Sequence, residues 1–185
     1  NHKQFPVLDE EIGKQMKQEI ENARNRQDSV GGILETVISG VEAGIGEPTF
    51  SSLESMLSEA MFSIPAVKGI EFGSGFDFAN MYGSEANDAW IIQDNKVITK
   101  TNHNGGINGG ISNGMPITFK TVIKPTPSIS LEQDSVNYET KENVKLSILG
   151  RHDPAIIHRA RAVVDAMTAL VIADAYMMTY GRKWF

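Results

Sequence analysis

The chain contains no cysteine. That excludes a disulfide framework and any thiolate-based metal or redox site. It has no excess of positive charge either: 17 Lys and Arg against 23 Asp and Glu give a net charge of −6. Nonspecific nucleic-acid binding needs an extended cationic face, and this balance opposes one. Long apolar runs are scarce. The most apolar stretch, Ala162–Ala173, is interrupted by Asp165 and Thr168, and reads as a buried helix too short to span a bilayer. Asn1–Phe5 is polar and Asp9, Glu10 and Glu11 follow at once, unlike a signal peptide. These features set the expectation of a cytoplasmic protein with neither a membrane nor a nucleic acid as partner.

Familiar catalytic signatures are also missing. The glycines of the Asn/Gly-rich segment do not fit G-x-G-x-x-G, and no Gly-Lys-Ser/Thr follows to make a phosphate loop of the Walker type. Neither H-E-x-x-H nor G-x-S-x-G occurs. The histidines (His2, His103, His152, His158) include no pair at helical i, i+4 spacing, so no metal site is expected.

What remains is ordinary globular composition, 41% hydrophobic and 22% charged over 185 residues, enough for one domain or a large piece of one. Asp9–Asn25 carries Ile12, Met16, Ile20 and Ala23 on one helical face. Asp28–Val41 turns to strand character, and Ala43–Pro48 is a turn cluster. Ser51–Phe62 reads as a second helix, with Ser51 and Glu54 at capping-box spacing. Ser63–Phe76 suggests a turn and a short strand. Phe78–Gly114 reads as mostly irregular and Asn/Gly-rich. Pro116–Ser130 is the clearest strand, with Ile117, Phe119, Thr121 and Ile123 on one side, ended by Pro125 and Pro127. Val136–Leu149 adds a strand or two. The last helix is expected to start at Asp153-Pro154, Asp as N-cap and Pro at the first position. Its middle is apolar nearly all round, which predicts a core or interface position. This element order favours an α+β fold with helices on a largely antiparallel sheet.

Three segments are suited to anions, each with a plainer reading beside it. Lys124-Pro125-Thr126-Pro127-Ser128 offers an ammonium, two hydroxyls and a stiff backbone to a phosphate, or is simply a strand end. Gly150-Arg151-His152-Asp153-Pro154 places a bidentate donor at a helix N-terminus, or is an ordinary cap. The Asn102–Gly114 run lets bare backbone approach a ring or phosphate, or is a flexible loop.

The segments DSVGG (Asp28–Gly32), AGIGEP (Ala43–Pro48), SIPAVKGIEFGSGF (Ser63–Phe76), GSEAND (Gly83–Asp88), NGGINGGISNGMPI (Asn104–Ile117), KPTPSI (Lys124–Ile129) and GRHDP (Gly150–Pro154) with AMTALVIAD after it resemble chorismate synthase, in that family's order and spacing. Together they cover nearly the whole chain. The resemblance implies an α+β sandwich of helices and antiparallel sheets, of which residues 1–185 are the C-terminal part of one domain. It implies a homotetramer and a lyase of the shikimate pathway of aromatic amino-acid biosynthesis. That lyase converts 5-enolpyruvylshikimate 3-phosphate to chorismate and phosphate by anti 1,4-elimination. The cofactor implied is reduced FMN, and NADP is associated with the family.

By the same resemblance, FMN contacts fall at Pro65, Ala66, Gly109, Lys124, Pro125, Thr126, Pro127, Ser128 and Arg151. Arg151 also contacts substrate, and Asp153 assists removal of the ring proton. Pro65 departs from the Asn common in the family. Ala155, His158, Arg161 and Ala162 replace its usual Cys, Pro, Val and Pro. The family's Ser-Gly-Glu-Ser-His-Gly and His-Ser-Gly-Arg segments, source of its catalytic histidines, do not occur in these 185 residues. The expectation is therefore that these residues alone do not turn over substrate. The alternative is a noncatalytic ligand-binding or assembly domain of the same fold.

Overall fold

A computed structural model describes residues 5–181. The chain forms two compact units. The first comprises the residues up to Gly32 together with Ile123–Ala160; the second comprises Ile33–Val122 and the residues from Arg161 on.

In the first unit, α1 (Glu10–Asn25) starts at Asp9, whose carboxylate accepts from the backbone N–H groups of Glu11 and Ile12. Glu10 and Glu11 in the first turn and Arg24 in the last complement the helix dipole. The predicted apolar face is there but not fully covered: Ala23 is buried, whereas Ile12 and Met16 are about half exposed. Farther along, β8 (Gln133–Asn137) and β9 (Glu142–Leu146) form an antiparallel hairpin pairing Gln133 with Leu146 and Asn137 with Glu142. Lys141 turns it with a positive φ of 60°. Val136, Tyr138, Val144 and Leu146 on this hairpin are all exposed.

The second unit is built on a three-stranded sheet in the order β1 (Gly32–Ile38), β7 (Ile117–Ile123), β2 (Val67–Phe72). The latest strand in sequence occupies the centre, and its inward face is the most deeply buried of the three. Ile117, Phe119, Thr121 and Ile123 are essentially inaccessible. On the other side Lys120 reaches Glu71 of β2 at 3.1 Å. The Phe72 and Phe119 rings lie 5.8 Å apart, within the range of favourable tilted aromatic pairs. Against β2 packs α2 (Leu53–Phe62), which buries Leu53, Leu57, Ala60 and Met61. Full burial of Leu53, Leu57 and Met61 contributes about 1.5–3 kcal/mol each.

The cap of α2 differs from the expected one. Ser52, not Ser51, accepts from Ser55 N–H at 3.1 Å. Ser51 instead closes a single 3-10 turn, Thr49–Ser51, so the helix begins one residue later and Glu54 is not at the capping-box position.

The stretch expected to be irregular is largely ordered. A 3-10 turn at Gly75–Asn80 and the short α3 (Gly83–Ala86) lead into a hairpin of β3 (Trp90–Gln93) and β4 (Lys96–Thr99). Asp94 and Asn95 turn it, with φ of 49° and 59°. Positive φ at both turn residues matches the right-handed twist of hairpin strands, and Asp and Asn tolerate it. A second, minimal hairpin, β5 (Ile107–Asn108) and β6 (Ile111–Ser112), turns at Gly109-Gly110.

The last helix, α4 (Ile157–Tyr180), begins later than Asp153-Pro154. The first helical bonds run from Arg159 and Ala160 to the Ile156 carbonyl, both at 3.0 Å. Pro154 is not its first residue, because the Pro154 carbonyl is held by Val30 N–H at 2.8 Å. Nor is α4 a buried helix. Val164, Thr168 and Ala175 are buried, but Val163, Leu170, Met177 and Met178 are exposed. By length and composition alone it passes for a membrane-crossing helix.

Candidate functional site

In the first unit the Gly150–Pro154 segment lines an open cavity of about 460 Å³, together with Arg24, Gln27, Asp28 and Ser130. Arg24 is engaged by Glu21 at 2.6 Å. Arg151 is exposed and has no ion-pair partner among the described residues. The wall therefore presents one uncommitted guanidinium, whose planar fork suits a phosphate or carboxylate.

Asp153, also on this wall, is two-thirds buried, and its Oδ2 meets Arg159 Nη1 at 2.7 Å. His152 is braced on both sides: Nε2 lies 2.8 Å from the Ile148 carbonyl and Nδ1 lies 3.0 Å from Ser128 Oγ. A carbonyl only accepts, so Nε2 carries the hydrogen, and in the neutral ring Nδ1 accepts from the Ser128 hydroxyl.

Through Ser128, the His152 brace reaches the Lys124–Ser128 segment. Lys124, Pro125 and Pro127 are exposed, while Thr126 and Ser128 are half-buried. The Thr126 carbonyl accepts from Ser29 Oγ at 2.6 Å. Thr126 Oγ1, in contrast, is buried with no hydrogen-bond partner. A buried hydroxyl left unpaired costs free energy that a bound acceptor would recover. The expected residues thus fall into linked sets here: Arg151 and Asp153 on the cavity wall, and Ser128 tied to that wall through His152.

Pro65, Ala66 and Gly109 belong to the second unit. Pro65 and Ala66 follow α2, with Ala66 held at a φ of 74°, rare for a residue with a Cβ. Gly109 is the exposed tip of the β5–β6 hairpin, with a φ of 60° and nothing within 4 Å of where a Cβ would stand. The backbone there is bare and open, as the Asn/Gly composition suggested. The loop is not flexible filler, however, since its base is held by the Asp88 carboxylate, which accepts from Thr101, His103 and Asn104. Asp88 and Asp28 lie at the ends of matched segments but were not expected as site residues, and neither was Arg24. An Asp that accepts bonds from residues so far along the chain has no local signature. Among the described residues no three His, Asp or Glu side chains gather as a metal site.

The helices and small antiparallel sheets define the chain as α+β. Residues 1–177 match the family model described as chorismate synthase. The chain is 49% identical to a chorismate synthase of Methanosarcina mazei over 98% of its own length and 50% of that protein's. It is 52% identical to one from Lachnoclostridium phytofermentans, over 95% of this chain and 48% of that one. A crystal structure of chorismate synthase superposes with a TM-score of 0.74 at 28% identity, covering 92% of this chain and 44% of the other. The chain belongs to the chorismate synthase family. It spans about half the length of the curated relatives it matches.

Proposed function

We propose that these residues supply the flavin- and phosphate-facing part of a chorismate synthase, a carbon–oxygen lyase that forms chorismate and phosphate from 5-enolpyruvylshikimate 3-phosphate. The family match over residues 1–177 carries this reading. Further support comes from the donors: the unpaired Arg151 and the partnerless, buried Thr126 hydroxyl fit a phosphate-bearing ligand. The open backbone at Gly109 fits a flat ring.

In this reading Lys124, Thr126 and Arg151 hold anionic groups, with Pro125 and Pro127 fixing the backbone on either side of Thr126. Pro65, Ala66 and Gly109 offer main chain to the flavin. Ser128 acts through its bond to His152. Arg151 also meets the substrate's negative charge, and preorganised donors of this kind stabilise charge that develops as phosphate leaves. Asp153 accepts the ring proton at a carboxylate oxygen, with Arg159 fixing its orientation. Reduced FMN, when bound, supplies the electron-rich ring that assists phosphate loss without net redox change. NADPH, oxidised to NADP, would serve as the source of electrons that bring the flavin to its reduced form. The exposed Val163, Leu170 and Met177 of α4 support a further packing partner for this helix; the homotetramer and the cytoplasmic location rest on the resemblance alone.

The test is direct. The purified protein at its natural length, given reduced FMN and 5-enolpyruvylshikimate 3-phosphate, should release chorismate and phosphate in equal amounts. Residues 1–185 alone, as the C-terminal part of one domain, should release neither. An oligomer indifferent to FMN and substrate would instead mark an assembly domain.

A further inference from the structure

Asp88 sits just before β3, and its carboxylate gathers four hydrogen bonds from the residues that follow β4. Thr101 Oγ1 donates at 2.7 Å and His103 N–H at 2.8 Å, both to Oδ1. Asn104 N–H donates at 2.9 Å and its Nδ2 at 2.8 Å, both to Oδ2. Four donors saturate the lone-pair sites of an ionised carboxylate. Burial pushes this carboxyl upward, but the bonds from Asn104, Thr101 and His103 outweigh it and hold it below the ordinary range.

The anchored residues open directly into the Asn/Gly loop. Its base is clamped on several sides. Ser74 N–H reaches the His103 carbonyl at 2.7 Å, and Ser74 Oγ lies 2.9 Å from the His103 ring. Thr118 N–H donates to the Gly105 carbonyl at 3.0 Å. A Cβ at Gly105 would stand 2.5 Å from Gly73 N and 2.7 Å from Thr118 O, so no side chain fits there. The tip at Gly109 is open by contrast. A fixed base and a bare tip make a rigid presenter of backbone, and ligand positioning depends on such support.

We infer that Asp88 is a positioning residue: its fourfold-bonded carboxylate fixes the base of the Asn102–Gly114 loop so that main chain at Gly109 is presented to a planar flavin-type cofactor. Asp88 itself touches no ligand. The inference rests on the flavin reading proposed above.

Asp88→Asn keeps the shape but replaces one acceptor oxygen by an NH2 that faces donors. In the protein at its natural length, it should weaken oxidised FMN binding, followed by fluorescence titration, about tenfold or more. Amide hydrogen exchange should quicken at Asn104–Gly110, and the visible circular dichroism of the FMN still bound should change. Leu57→Ala, in the buried face of α2, serves as a control: it should lower the melting temperature while leaving FMN affinity unchanged. Should Asp88→Asn not fold, Thr101→Val removes a single donor and should weaken FMN about threefold. Wild-type FMN affinity and dichroism in the Asp88 variant, or in Thr101→Val where that is the variant used, would overturn the inference. Equal losses in Asp88→Asn and Leu57→Ala would do the same, by making Asp88 a general stabiliser. If the unsubstituted protein ignores FMN, the flavin reading itself fails and takes this inference with it, a result seen before any variant is made.

Discussion

Asp153 Oδ2 and Arg159 Nη1 pair at 2.7 Å across the start of α4. The carboxylate expected to cap the helix instead faces a side chain on its first turn. Arg159 is 70% exposed, so the pair contributes little to stability, under about 1 kcal/mol. Its effect is to set where the Asp153 oxygens point, on the wall shared with Arg151.

That arrangement separates two substitutions. Asp153→Asn preserves shape and removes the charge, and should slow chorismate formation by about 100-fold or more in the protein at its natural length. Arg159→Ala should leave the denaturation midpoint nearly unchanged and produce a smaller loss of rate. A wild-type rate in Asp153→Asn would remove this carboxylate from the proton transfer.

Thr121 lies in the central strand, fully buried, and its Oγ1 has no hydrogen-bond partner. Replacing an unsatisfied polar atom with a methyl of similar shape removes a desolvation cost. Thr121→Val should therefore stabilise the protein by up to about 1 kcal/mol in urea titration. The neighbouring Phe119→Ala should cost about 3–5 kcal/mol by the same measurement, since its ring is buried and cannot be replaced by collapse of a strand.

Acid should act through Asp88 and Glu71. The Lys120 side chain, bonded to Glu71, holds that carboxyl below its usual range against a weaker opposing effect of burial. Asp88 is lowered as well, its donors overcoming burial. A depressed folded-state value gives stability that is complete above the ordinary carboxylate range, about pH 4, and lost as pH falls through the folded value. Asp88→Asn should flatten this acid limb. Lys120 has the opposite sign: raised chiefly by its bond to Glu71, it contributes fully below the ordinary lysine range and loses that contribution as pH rises through the folded value. Lys120→Met should remove the alkaline part, and only a small one, because the pair is partly exposed.

Ser128→Ala tests the brace on His152. Losing the Nδ1 partner of a half-buried ring should cost about 1 kcal/mol in a denaturant titration. An unchanged midpoint would mean that water replaces the hydroxyl without penalty.

The α+β class, helix α1 and the inward face of β7 were legible because periodicity reports burial directly: Ile117, Phe119, Thr121 and Ile123 alternate in sequence and are buried in fact. The β3–β4 hairpin was also written in the chain, as Asp94-Asn95 between two β-branched runs, but the surrounding Asn and Gly obscured it. Other features had no local trace. The cap of α2 moved one residue because a 3-10 turn absorbed Ser51. Asp153 left its cap position because the Pro154 carbonyl is held by Val30, distant in sequence. The four bonds to Asp88 join residues far along the chain, and no spacing rule anticipates them. The exposure of α4 escaped for another reason: an apolar helix announces that something covers it, not what.

Neither ring nitrogen of His152 is free. Its Nε2 hydrogen is committed to the Ile148 carbonyl and its Nδ1 lone pair to the Ser128 hydroxyl. The histidine inside GRHDP is thus a rivet rather than a courier. It fastens the return of the β8–β9 hairpin to the Lys124–Ser128 segment and leaves Arg151 and Asp153, on either side, to face the cavity.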